Sequence, residues 1–233
     1  MSLPVREDGI LLYIFALIGR TNRVCVEICA GDGVECNTAN LILNHGWWGH
    51  LFDGGAENVK RGRAYFRNSR ETFLAPPSFT LCWITAANVN EMMGNVGVAG
   101  EIDLLSLDID GMDYWVWEAI VCVRPRVVVC ETQNIIGPEH ALTIPYDPAF
   151  RISVPDYHSA SLSAMTKLAR RKGYRLIGTH RYGFNAFFVL DGVGEDLLPT
   201  VDPSDCLKDP YTRDAQAERW PKVSSMPWVT VST

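Results

Sequence analysis

Five carboxylates stand where apolar stretches of the 233-residue chain end or turn: Glu27, Asp53, Asp108, Asp110 and Glu131. An acid closing a buried strand is costly to leave without a partner, so a set of them marks a place where something polar is held. Such a set can accept hydrogen bonds from sugar hydroxyls. It can orient or deprotonate a nucleophile, a role open to Asp108 and Asp110. It can also gather a hard divalent cation such as Mg2+, with Asp108, Asp110 and Glu131 as ligands. His180, in a turn after an apolar run, could move a proton. So could Tyr157 and His158, just ahead of a helix start.

The elements that must carry these groups alternate along the chain. A helix is expected over 5–20, closed by Gly19. A strand at 23–28 runs into the turn Cys29-Ala30-Gly31-Asp32-Gly33, and a helix from about 35 to 44 follows, closed at Gly46. Strands are expected at 48–53, 79–85, 102–108 and 126–131, with helices at 56–70 (bearing basic residues) and 114–121. Residues 133–157 are irregular and proline-containing, which suits a lid or binding loop. A helix capped by Ser159 runs to Lys172, and strands at 174–179 and 185–190 form an antiparallel pair. This is an α/β pattern: a doubly wound, seven-stranded, mainly parallel sheet with an antiparallel edge pair. One domain is expected over 1–233, with an N-terminal helix (1–21), a core (22–192) and a tail (193–233) wrapping it. Ligands of such sheets bind beyond the carboxyl ends of the strands, where the five acids fall.

Composition narrows the classes. The net charge of −6 offers no basic face for nucleic acid. The longest N-terminal apolar run, Ile10 to Ile18, is too short to cross a bilayer, and Glu7 and Asp8 sit where a secretory signal would be basic. Seven cysteines without a Cys-x-x-Cys pair suit a reducing compartment, so a cytoplasmic location is expected.

Asp53 comes twenty positions after Gly33, where an acid can hold both ribose hydroxyls of a nucleoside. The turn continues Val34-Glu35-Cys36, without the third glycine that admits a pyrophosphate and with an acid that would repel one. A nucleoside carrying a zwitterionic amino-acid tail fits better.

Val26-Glu27-Ile28-Cys29-Ala30-Gly31-Asp32-Gly33 resembles the first motif of class I S-adenosylmethionine-dependent methyltransferases. Leu51-Phe52-Asp53-Gly54 resembles their ribose-binding motif, and Leu105-Ser106-Leu107-Asp108-Ile109-Asp110-Gly111 their fourth motif, with a likeness to the FkbM branch. The resemblance covers about residues 20–192 and implies a Rossmann-like methyltransferase fold. It implies cofactor binding by Glu27, Cys29, Gly31, Gly33, Asp53, Asp108 and, after the third strand, Thr85, Ala86 and Asn88. Metal-dependent members place ligands after strands 4 and 5, as Asp108 and Glu131 would be. They follow the strand 5 acid with Asn or Asp, where this chain has Thr132. The expected enzyme methylates a small molecule, at oxygen, alone or as a homo-oligomer, with no nucleic-acid or membrane partner. Two alternatives stay open: cyclisation or cleavage of the same cofactor, and non-catalytic cofactor binding.

Overall fold

A computed structural model describes residues 7–232. Two compact units divide them, one of residues 7–108 and 119–128, the other of 109–118 and 129–232. The expected helix over 5–20 is α1, Glu7–Ile18; residues 5 and 6 lie outside the described residues.

In the first unit α1 is followed by β1 (Val24–Ile28), α2 (Ala39–His45), β2 (Trp48–Asp53), α3 (Ala56–Asn68), β3 (Ser78–Leu81), α4 (Val89–Asn95) and β4 (Gly100–Leu107). β1 pairs in parallel with β2 and with β4, and β2 with β3. Both faces of β1 and β4 are covered, so Cys25, Val26, Leu104 and Leu105 form an unbroken apolar interior rather than an alternating one. Phe15 of α1 packs edge-on against Trp47 at 4.7 Å between ring centroids.

The second unit holds α5 (Asp113–Ala119, its last residue in the first unit) and the end of β5 (Val123–Glu131). Then come β6 (Leu142–Thr143), α6 (Leu162–Arg171), β7 (Tyr174–Thr179), β8 (Asn185–Leu190), α7 (Pro203–Cys206), α8 (Pro210–Val223) and β9 (Val229–Thr230). Trp117 packs on Tyr174 and Phe188, and β7 and β8 are antiparallel. The strand order is β3-β2-β1-β4-β5-β8-β7, the seven-stranded mixed sheet expected; β6 and β9 form a separate antiparallel pair.

Several boundaries differ from the sequence pattern. The helix expected from residue 35 starts at Ala39, because Glu27 binds the Thr38 N–H from below and holds the preceding residues in turns. The third strand stops at Leu81 rather than 85, where the chain turns toward α4. The cap of α6 is Ser161, whose Oγ accepts from Ala164 N; Ser159 has a φ of 57° and spends its hydroxyl elsewhere. The tail contains a 14-residue helix, α8. Within 133–157, Ile135 and Ile136 are sealed against Ala215 and Val223, so the first part of that stretch is core, while Tyr146 to Ala149 are exposed and Phe150 is half-buried.

Candidate functional site

The turn after β1 is built from left-handed backbone: φ is 68° at Cys29, 58° at Gly31 and 77° at Gly33. Left-handed conformation at a cysteine costs energy that the surroundings must supply, and such residues gather at working sites. Here the supply is visible: Cys29 N and Ala30 N both donate to Phe52 O, at 2.9 and 3.0 Å. Gly31 N donates to Asp53 Oδ2 at 2.9 Å. The other carboxylate oxygen of Asp53 accepts from Gly55 N at 2.7 Å and Asn58 Nδ2 at 3.2 Å. Three protein donors therefore occupy a group with about four acceptor positions, itself 5% exposed.

The two glycines do different jobs. A side chain at Gly31 would meet nothing within 4 Å, whereas one at Gly33 would meet the Phe66 ring at 2.8 Å. Gly31 opens to space; Gly33 makes way for the core.

Glu27 was expected beside the ligand. It is sealed instead, at 1% exposure. Ser106 Oγ donates to Oε1 at 2.8 Å, Thr38 N donates to Oε2 at 2.9 Å, and Asn37 Nδ2 donates to Ser106 Oγ at 3.0 Å. Burial pushes its carboxyl up to about 7, against the pull of those hydrogen bonds. It fixes the turn from beneath. Asn88 shapes its own loop, accepting from Thr85 N at 2.8 Å and donating to Trp83 O at 2.9 Å; Thr85 and Ala86 are half-buried beside it.

In the second unit, the loop after β4 is organised by Asp113. This buried carboxylate accepts from Ile109 N at 2.9 Å and Gly111 N at 3.2 Å, which bends the chain so that exposed Asp110 adopts a φ of 55°. Burial raises Asp113 to about 6, with Asp110 adding to the rise. One carboxylate oxygen of Asp110 and one of Glu131 lie within 4.8 Å of each other.

Glu131 ends β5 and accepts from Ser159 Oγ at 2.7 Å, with His158 Nδ1 4.0 Å from its other oxygen. Gln133 Nε2 reaches both Asp156 O, at 3.2 Å, and His158 Nε2, at 2.9 Å. An amide donating both hydrogens this way assigns the proton of neutral His158 to Nδ1, facing Ser159 Oγ at 3.0 Å. Burial lowers the pKa of His158, while Asp110 and Asp156 pull it up. Asp156 and Ser159 on either side both have positive φ, and Arg219 grips the Asp156 carboxylate through Nε and Nη2.

Tyr157 and His180 are not drawn into this network. The Tyr157 hydroxyl donates to Pro227 O at 3.0 Å, and its ring stands against Trp228. The His180 ring stacks on Phe184 and accepts from Tyr182 N at 3.4 Å. Thr132, following the strand 5 acid, donates to Gly183 O at 2.7 Å. Gln133, Asp113, Ser159, Ser106 and Asn37 were missed as site residues. Neutral or helix-bound side chains carry no sequence signal of their own at such positions.

No helix among the described residues is long and apolar enough to cross a membrane. No protein-family model matches the chain. No curated protein matches it either. Solved structures do. A S-adenosylmethionine-dependent methyltransferase from Clostridium acetobutylicum is 9% identical, covers 82% of this chain and 93% of its own, and gives a TM-score of 0.50. An O-methyltransferase from Bacillus cereus, solved with SAH, is 13% identical over 82% of this chain and 83% of its own, with a TM-score of 0.50. The methyltransferase domain of bacterial CtHen1 is 13% identical over 79% and 98%, also at 0.50. The chain therefore has the Rossmann-like methyltransferase fold.

Proposed function

We propose that the chain is a S-adenosylmethionine-dependent methyltransferase acting on an oxygen atom of a small molecule in the cytoplasm. The observation that carries this reading is the strained Cys29–Gly33 turn tied to Asp53, beyond the end of β1, where the strand order reverses between β2 and β4. The residues fit the cofactor: Asp53 lies beside the turn to accept from a ribose hydroxyl, and Gly31 leaves its side of the turn open. When bound, the cofactor supplies an electrophilic methyl on a sulfonium. Asp108 and Asp110 take the role of orienting or deprotonating the acceptor hydroxyl. That role ranks ahead of Mg2+ binding, because Thr132 turns its hydroxyl to Gly183. The Leu105–Gly111 stretch favours the FkbM-like branch within the class.

The test is incubation with S-adenosylmethionine and a panel of hydroxyl-bearing small molecules, with and without EDTA, read by mass spectrometry. Acceptor-dependent S-adenosylhomocysteine, insensitive to EDTA, is expected. Methylthioadenosine would point to cofactor cleavage, and unchanged cofactor throughout would overturn the reading.

A further inference from the structure

Helix α3 carries a concentrated positive charge that the proposed reaction does not use. From Asn58 to Arg70 there are five cations, Lys60, Arg61, Arg63, Arg67 and Arg70, and no acid, in a chain of net charge −6. The helix lies flat on β3, because Gly62 leaves space for the Phe79 ring. Two cavities open along this contact, of about 310 and 350 Å³. Arg63 and Arg67 line both, and no carboxylate lines either. Val59, Ala64 and Leu81 give the first an apolar wall.

The cations are unequally engaged. Arg63 donates to Phe79 O at 2.9 and 2.7 Å, Arg61 donates to Asn58 Oδ1, and Lys60 lies 3.8 Å from Glu57. Arg67 and Arg70 have no charged partner among the described residues.

The strand between the cavities ends the sheet. Cys82 N donates to Asp53 O, so the alternation of a parallel ladder turns the backbone groups of Phe79 and Leu81 outward. Arg63 covers one of these, the Phe79 carbonyl, and leaves the rest of the edge open. Leu81 and Trp83 are exposed beside it.

We infer that this edge docks an extended acidic segment of a partner protein by strand addition. Phe79 N and both backbone groups of Leu81 remain for pairing, room for a short added strand. Its side chains alternate between the two sheet faces, so an acid at every second position would meet Arg63 and Arg67 while its backbone pairs with Leu81. A free phosphate would use the cations and none of the edge. A second copy seated edge to edge would bring its own five cations to the same face, at a repulsive cost.

The probe is a fluorescein-labelled octapeptide of alternating Glu and Val, followed by anisotropy at fixed ionic strength. It is expected to bind. Arg67→Glu, at an exposed helix position, should weaken binding about tenfold or more, and so should a proline at the centre of the peptide, which removes a ladder donor. Arg170→Glu, a charge change on α6, should leave it unchanged. The inference is overturned by no binding, by equal binding of the proline peptide, or by indifference to Arg67→Glu. It is equally overturned if Arg170→Glu weakens binding as much, or if a ten-residue oligothymidylate or phosphatidylserine vesicles bind more tightly than the peptide.

Discussion

Asp103 and Glu27 are two acids buried in the same parallel ladder, and they are held in opposite ways. Glu27 sits opposite Ser106, further along β4 than Asp103. Asp103 accepts from the backbone N–H groups of Thr21, Asn22 and Arg23, the last at 2.7 Å, and pairs with Arg126 at 3.0 Å. Burial pushes Asp103 up, but these donors and the guanidinium outweigh it and hold the carboxyl below its usual range. Glu27 has hydrogen-bond donors but no cation among them, so burial wins and its carboxyl rises to about 7. The first region is a closed anchor that ties the entry of β1 to β4. The second is an acid near neutrality under a strained turn. One end of the ladder is built for stability, and the other tolerates a cost to fix the geometry of the turn.

The comparison breaks most sharply at Arg126. Its side chain also donates to Gly19 O and Ile18 O, so Arg126→Ala strands a buried carboxylate and two carbonyls. A loss of about 3–5 kcal/mol is expected from urea denaturation. A loss under about 1 kcal/mol would mean that the backbone donors alone carry Asp103.

The two acids should also respond to pH with opposite sign. Asp103 has a depressed folded pKa, so its contribution is present above the ordinary value of 3.8 and is lost as pH falls through the folded value. Glu27 is the reverse. Between its ordinary 4.5 and about 7 the folded state holds a proton that the unfolded state has released. Stability then falls as pH rises through that window, by about 3 kcal/mol in all, and levels off above it. Glu27→Gln should flatten this fall. Parallel urea midpoints for wild type and variant at pH 5 and pH 8 would remove Glu27 as its source.

At Asp53 the effect moves from folding to binding. Asp53→Ala should weaken S-adenosylmethionine by about 1–3 kcal/mol in calorimetry, the scale of a charge-assisted hydrogen bond plus the loss of support for Gly31. Unchanged affinity would take Asp53 out of the site.

Much of this arrangement could be read in the chain, and the failures share a cause. Strands at 48–53, 174–179 and 185–190 match the pattern to the residue, because a glycine or an acid stands at one end of each. Helix α8 was invisible: it begins and nearly ends with proline, and its apolar contacts lie with Ile135 and Ile136, far along the chain. Ser159 and Ser161 look alike as caps, and only the three-dimensional position of Glu131 decides which serine is free to cap. The acids of the site were legible because strand-end carboxylates are rare and costly. Their partners Ser106, Asn37 and Gln133 are neutral and distant in sequence, so the reversal of Glu27 from ligand contact to buried support was not.

Asn37 gives the finest cut. Its backbone supports Glu27, but its side chain does not; the side chain donates to Ser106 Oγ, and that bond leaves the Ser106 hydroxyl hydrogen free to point at Glu27 Oε1. Removing it should cost about 0.5–1.5 kcal/mol, the net value of one buried hydrogen bond. Because Ser106 can still donate to Glu27, Asn37→Ala should leave the pH window of stability nearly in place. Ser106→Ala removes a donor from the carboxylate itself, so the Glu27 pKa should climb further and the fall in stability should extend to higher pH. Urea midpoints across pH 5 to 9 for the two variants separate the direct bond from the indirect one. If Asn37→Ala moves the window as far as Ser106→Ala does, the two residues act as one unit, and the orientation of the Ser106 hydroxyl rests on Asn37 alone.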